Sequence, residues 1–93
     1  MKKISKNEIK ELVLQNIVKC IISYDIFRAF SFKELRVNFY IDNTIKIKNK
    51  ETYQTIKEFK INPDKTCDIE YTCRFALILY KYLDFKSKKL KDL

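Results

Sequence analysis

The chain has 93 residues, 46% of them hydrophobic and 34% charged, with a formal net charge of +8. That length supports one domain with a single modest core, so residues 1–93 read as one small basic domain that is globular rather than disordered. It contains no glycine and no histidine. This excludes glycine-cradled phosphate loops, dinucleotide fingerprints and glycine-hinged nucleophile elbows, and removes the usual general base and commonest metal ligand.

A positive charge of this size favours polyanionic partners: nucleic acid, either DNA or RNA, or an acidic protein surface. Seventeen of the twenty basic residues are lysine, in a chain also rich in isoleucine, asparagine, tyrosine and phenylalanine. These residues share AT-rich codons, so coding bias is a competing source of the charge. With only three arginines, base-specific readout by bidentate guanidinium groups is not expected.

In chain order, Ser5-Lys6-Asn7-Glu8 fits a capping box. Ile9, Leu12, Val13, Ile17, Cys20, Ile21 and Tyr24 follow at three- and four-residue spacing, the pattern of an amphipathic helix that ends between Tyr24 and Ala29. Ser31-Phe32-Lys33-Glu34 repeats the capping pattern, either opening a short helix or lying in a loop. The stretch Arg36 to Lys48 alternates apolar and polar residues on both sides of Asp42-Asn43-Thr44, which predicts a β-hairpin over about 36–48.

Parity decides the hairpin loop. A two-residue loop at Asp42-Asn43 would put the two apolar rows on opposite faces. A three-residue loop at Asp42-Asn43-Thr44 pairs Ile41 with Ile45 and Phe39 with Ile47 and keeps Val37 on the same buried face. Tyr40 is then opposite Lys46, Asn38 opposite Lys48 and Arg36 opposite Lys50. Residues Asn49 to Ile61 fit either a helix or, as favoured here, a third strand from Thr55 to Ile61 with Ile56 on the opposite face from Phe59 and Ile61.

Asn62-Pro63-Asp64 reads as a helix start. The last helix is expected from about Pro63 or Thr66 to Ser87 or beyond. Its middle, Phe75 to Tyr80, is apolar on nearly every side, which suits a central helix or one that covers its second side with a partner. The cationic stretch Lys86 to Lys91 suits a solvated helix end. The expected fold is therefore α+β: an N-terminal helix, a two- or three-stranded antiparallel sheet and a long C-terminal helix.

The residues offer little chemistry. Cys20, Cys67 and Cys73 are an odd number without paired spacing, and Met1 to Lys10 is polar and lysine-rich. Reduced, buried thiols in a cytoplasmic protein are expected. Without histidine no zinc site can be completed, and no metal or cofactor is expected. Asp64, Asp68 and Glu70 belong at a helix start rather than in a nuclease site, and no base stands beside a nucleophile. No apolar run reaches the eighteen or so residues that span a bilayer, so no membrane partner is expected.

What remains is the polar row of the hairpin: Arg36, Asn38, Tyr40, Lys46, Lys48 and Lys50. Cations with an aromatic on a sheet face can follow a phosphate backbone and stack a base; an edge-protecting solvated face is the plain alternative. The leading expectation is a non-enzymatic nucleic-acid-binding protein of low sequence specificity. A second is a small viral or mobile-element protein that inhibits a host factor through the apolar C-terminal helix, which could equally pair two copies as a homodimer. A third treats Asn49 to Lys57 as the recognition helix of a helix-turn-helix, with Thr52, Gln54 and Lys57 toward bases. Double-stranded RNA-binding domains also run α-β-β-β-α, but their glycine- and histidine-containing loop is absent, and no family is recognised.

Overall fold

The computed structural model describes residues 5–23, 27–65 and 68–91, with side chains through residue 89. Ser5 caps the first helix, α1 (Lys6–Ile22): the Glu8 amide donates to Ser5 Oγ at 3.2 Å. Among the described residues the reciprocal carboxylate bond of a full capping box is not formed. The helix stops before the expected Tyr24–Ala29 boundary. Tyr24 lies outside the described residues, and Arg28 and Ala29 belong to a strand. Ile17, Cys20 and Ile21 are buried and Val13 packs beside them, but Ile9 and Leu12 are 46% and 57% exposed. Leu12 is five residues from Ile17, about 140° round the helix and so away from the core.

Four strands follow, not two or three: β1 (Arg28–Phe32), β2 (Leu35–Phe39), β3 (Thr44–Asn49) and β4 (Thr55–Lys60). They form one antiparallel sheet in the order β1-β2-β3-β4. The second capping-box match is a coincidence, because Phe32 pairs with Leu35 and Lys33-Glu34 is the two-residue turn between them, with Lys33 at φ 52°. The helix-turn-helix is overturned as well, since Asn49 to Lys57 spans the end of β3, a turn and the start of β4. In that turn the Asn49 carboxamide oxygen accepts from the Glu51 and Thr52 amides at 2.8 and 3.2 Å, and Tyr53 sits at φ 61°. Such side-chain capping is what lets asparagine begin a turn.

The expected third strand is β4. Its register shifts opposite Ile47 and Lys48, leaving Ile56 as an extra residue. The bulge turns Ile56 toward the core, where it packs with Phe59, instead of onto the opposite face.

The β2–β3 loop has three residues as expected, but they are Ile41, Asp42 and Asn43. Phe39 pairs with Ile45, Val37 with Ile47, Asn38 with Lys46 and Arg36 with Lys48, so each partner is displaced by two residues from expectation. The Asn43 amide donates to the Tyr40 carbonyl at 3.1 Å, the Tyr40 amide donates to the Thr44 carbonyl at 2.9 Å, and Asn43 has φ 66°. A three-residue loop places its left-handed residue last, a position Asn43 fills far better than β-branched Thr44. Ile41 is consequently 65% exposed at the tip rather than on the core face. An even displacement preserves the two faces, so Val37, Phe39, Ile45 and Ile47 still share the buried one.

Asn62 caps only a single 3-10 turn, Pro63–Lys65, by accepting from the Asp64 amide at 3.0 Å. The last helix, α2 (Ile69–Lys91), begins later than expected, with the Tyr71 amide on the Asp68 carboxylate at 3.2 Å. Ala76, Leu79 and Leu83 of α2 join Ile17, Cys20 and Ile21 of α1 over Leu35, Val37, Phe39, Ile45 and Ile47. Both helices therefore cover the same face of the sheet. Phe59 closes the β4 side, edge-on to Phe75 and Tyr82 with centroids 6.2 and 5.5 Å apart. Complete burial of a side chain such as Leu79 or Leu83 stabilises the fold by about 1.5–3 kcal/mol. The apolar middle of α2 is only partly covered, since Ile78 and Phe85 remain more than half exposed.

Candidate nucleic-acid interface

With both helices on one face, the other face of the sheet carries Arg36 and Asn38 from β2 and Lys46 and Lys48 from β3. Arg36 pairs across strands with Lys48, and Asn38 with Lys46. Residues two apart on a strand are about 7 Å apart, so these pairs form two successive rungs of a cationic ladder. β4 adds Lys60 opposite Thr44 and one acidic residue, Glu58, opposite Lys46. Arg36, Lys46 and Lys48 are half-buried, with aliphatic stems lying along the sheet and charged ends in solvent.

None of these cations is within ion-pair distance of a carboxylate among the described residues. The pairs that do form are Lys33–Asp84 at 3.7 Å, Lys88–Asp84 at 3.2 Å and Arg74–Glu70 at 3.9 Å. All three involve α2, away from the open sheet face. Most other lysines of the described residues are likewise outside any ion pair, so what sets these cations apart is that they share one sheet face, where Glu58 opposite Lys46 and Asp42 near Lys60 offset part of the charge.

One end of the ladder is aromatic. Tyr40, just beyond β2, lies beneath Lys46 Nζ, which is 5.4 Å from the ring centroid. Phe27, just before β1, also packs against Tyr40, with ring centroids 5.4 Å apart and planes inclined by 58°. Two residues before Tyr40, Asn38 is only 6% exposed, an unexpected burial for a residue of the solvent-side row. Its Nδ2 donates to the Tyr40 hydroxyl at 3.3 Å, while its Oδ1 is buried with no hydrogen-bond partner. Its cross-strand neighbours Ala29 and Lys46 offer that oxygen no hydrogen bond.

Lys50 stands slightly apart. It is exposed in the β3–β4 turn, and its amide donates to the Glu34 carbonyl at 3.0 Å, so it faces Glu34 instead of Arg36. The hairpin tip is fixed by Asp42, which accepts from the Thr44 amide at 3.1 Å. Hydrogen bonds from the Thr44 side chain, and then its amide, hold the Asp42 carboxyl below its ordinary pKa.

Five of the six expected residues, Arg36, Asn38, Tyr40, Lys46 and Lys48, share this face, and Lys50 flanks it. Two further members are Lys60 and Phe27. Lys60 is readable from alternation, because inward Phe59 and Ile61 force it outward. Phe27 has no such signal, since nothing local ties it to a hairpin ten residues later.

Among the described residues the cysteines form no centre. Cys20 is buried, and that burial raises its thiol pKa, partly offset by Arg28. Cys73 is exposed, contrary to expectation, because it lines an open groove between α2 and α1 beside Leu14 and Val18; Cys67 lies outside the described residues. Among the described residues no three Cys, Asp or Glu side chains gather to hold a metal ion, and no helix is long and apolar enough to cross a membrane. No family model, curated protein or solved structure matches the chain.

Proposed function

We propose that the protein binds nucleic acid without catalysis, laying a phosphate backbone along the open sheet face with little sequence specificity. The observation that supports this reading is that Arg36, Lys46, Lys48 and Lys60, none of them within ion-pair distance of a carboxylate among the described residues, share the one sheet face that the helices leave uncovered. Lys50 extends the row at its far end. Phosphate contacts of this kind supply affinity and orientation and carry no sequence information.

The test is a salt titration of binding to random-sequence oligonucleotides. Four cations on four phosphates of a single strand give a log–log slope of about −2.8, or a loss of about 50-fold between roughly 50 and 200 mM salt. Replacing Lys46 and Lys48 by glutamine halves the slope and cuts that loss to about sevenfold. No binding at low salt, or a slope unmoved by the double variant, refutes the proposal.

A second reading has its own observation. Ile78 and Phe85 are 59% and 54% exposed and lie seven residues apart on one side of α2, the spacing of a helix that meets a partner. On this reading the protein is a small interaction module, such as a viral or mobile-element inhibitor, or a homodimer. Sedimentation of the wild type and of Ile78→Lys separates a self-associating helix from a monomer.

A further inference from the structure

We infer that the nucleic acid this face takes is single-stranded, with a base stacked at the Phe27–Tyr40 corner; this rests on the phosphate-binding reading above. The corner sits at the end of the cationic ladder, because Tyr40 is within 5.4 Å of both the Phe27 ring and Lys46 Nζ. Phe27 is 51% exposed, and it carries no polar atom that water can satisfy. An aromatic face beside backbone-tracking cations is the arrangement that holds single strands, because every base has a π-face and stacking tolerates any sequence.

Duplex geometry fits this surface poorly. The major groove of B-form DNA admits a helix or a two-stranded ribbon, whereas the cations here lie across the middle of a four-stranded sheet. The base faces of a duplex are already stacked on one another, so Phe27 would have nothing to cover. A duplex gains only the phosphate contacts, while a single strand gains those and the stack.

Lys46 links the two contacts. In the free protein its ammonium group lies over the Tyr40 ring, and a phosphate would draw it away and release that ring for a base.

The experiment measures fluorescence anisotropy with a mixed-sequence 20-nucleotide single strand and the same sequence as a blunt duplex, across a salt series. The proteins are wild type, Phe27→Ala, Phe27→Tyr and Lys46→Gln, each checked by thermal melting. The single strand is expected to bind more tightly than the duplex. Phe27→Ala weakens single-strand binding about fivefold or more, with the salt slope unchanged because a neutral ring has been removed. Phe27→Tyr restores the affinity, and Lys46→Gln lowers the slope. Equal or tighter duplex binding, or single-strand affinity indifferent to Phe27→Ala, overturns the single-strand inference and leaves phosphate binding standing. Failure to bind either form overturns both.

Discussion

Replacing Asn38 with valine should make the protein more stable. Asn38 is 94% buried, its Oδ1 has no partner, and its Nδ2 makes one long hydrogen bond of 3.3 Å to Tyr40. A buried acceptor without a partner costs about 1–3 kcal/mol, and a bond of that length returns at most about 1 kcal/mol. Valine removes the orphaned oxygen, suits the strand and leaves the half-exposed Tyr40 hydroxyl free to reach water. The net gain is about 1–2 kcal/mol, which for a domain of this size raises Tm by roughly 5–15 °C. Calorimetry or circular dichroism melts measure it directly. A double-mutant cycle with Tyr40→Phe isolates the weak bond: Tyr40→Phe costs about 0.5–1 kcal/mol alone and close to nothing beside Asn38→Val. A lower Tm for Asn38→Val refutes the reasoning, because it requires that Oδ1 already has a partner in solution.

Two further outcomes are expected. Tyr53→Gly stabilises the protein by about 0.5–1 kcal/mol in urea unfolding, since Tyr53 holds φ 61° with an exposed ring, where the left-handed region costs a non-glycine residue about 1–2 kcal/mol and the extra chain entropy of glycine takes back part of the gain; a destabilised variant would show that the ring has a packing role. In a Cys67→Ser background at mildly alkaline pH, a thiol reagent modifies exposed Cys73 rapidly, whereas Cys20, buried and with a raised pKa, reacts only as the protein opens. Equal rates for the two thiols contradict the burial of Cys20.

The sequence carried the two sheet faces because alternation survives any even error in register. Alternation alone puts the loop one residue too late because Ile41 is apolar and counts toward the core, although the need for a left-handed third residue points to Asn43. β1 went unread because Arg28 to Phe32 is only five residues long with no glycine or proline to mark its ends, and because Ser31 to Glu34 imitates a helix cap. Strict alternation places Ile56 on the wrong face because a bulge breaks it. Arg36, Lys46 and Lys48 are local to one hairpin and can be named from its alternation, whereas Lys60 requires β4 to be placed beside them. Phe27 and the burial of Asn38 depend on β1 lying beside β2, a pairing invisible until β1 itself is recognised.

The strand order has a consequence for how the chain folds. Each strand pairs only with its neighbour in sequence, across a connection of two to five residues, so the meander can zip from local contacts without a costly loop closure. Its apolar face is finished only when α1, from before the strands, meets α2, from after them. During synthesis the sheet therefore emerges with Val37, Phe39, Ile45 and Ile47 half-covered and waits for Ala76, Leu79 and Leu83 to leave the ribosome. Over that interval the exposed apolar face is open to aggregation.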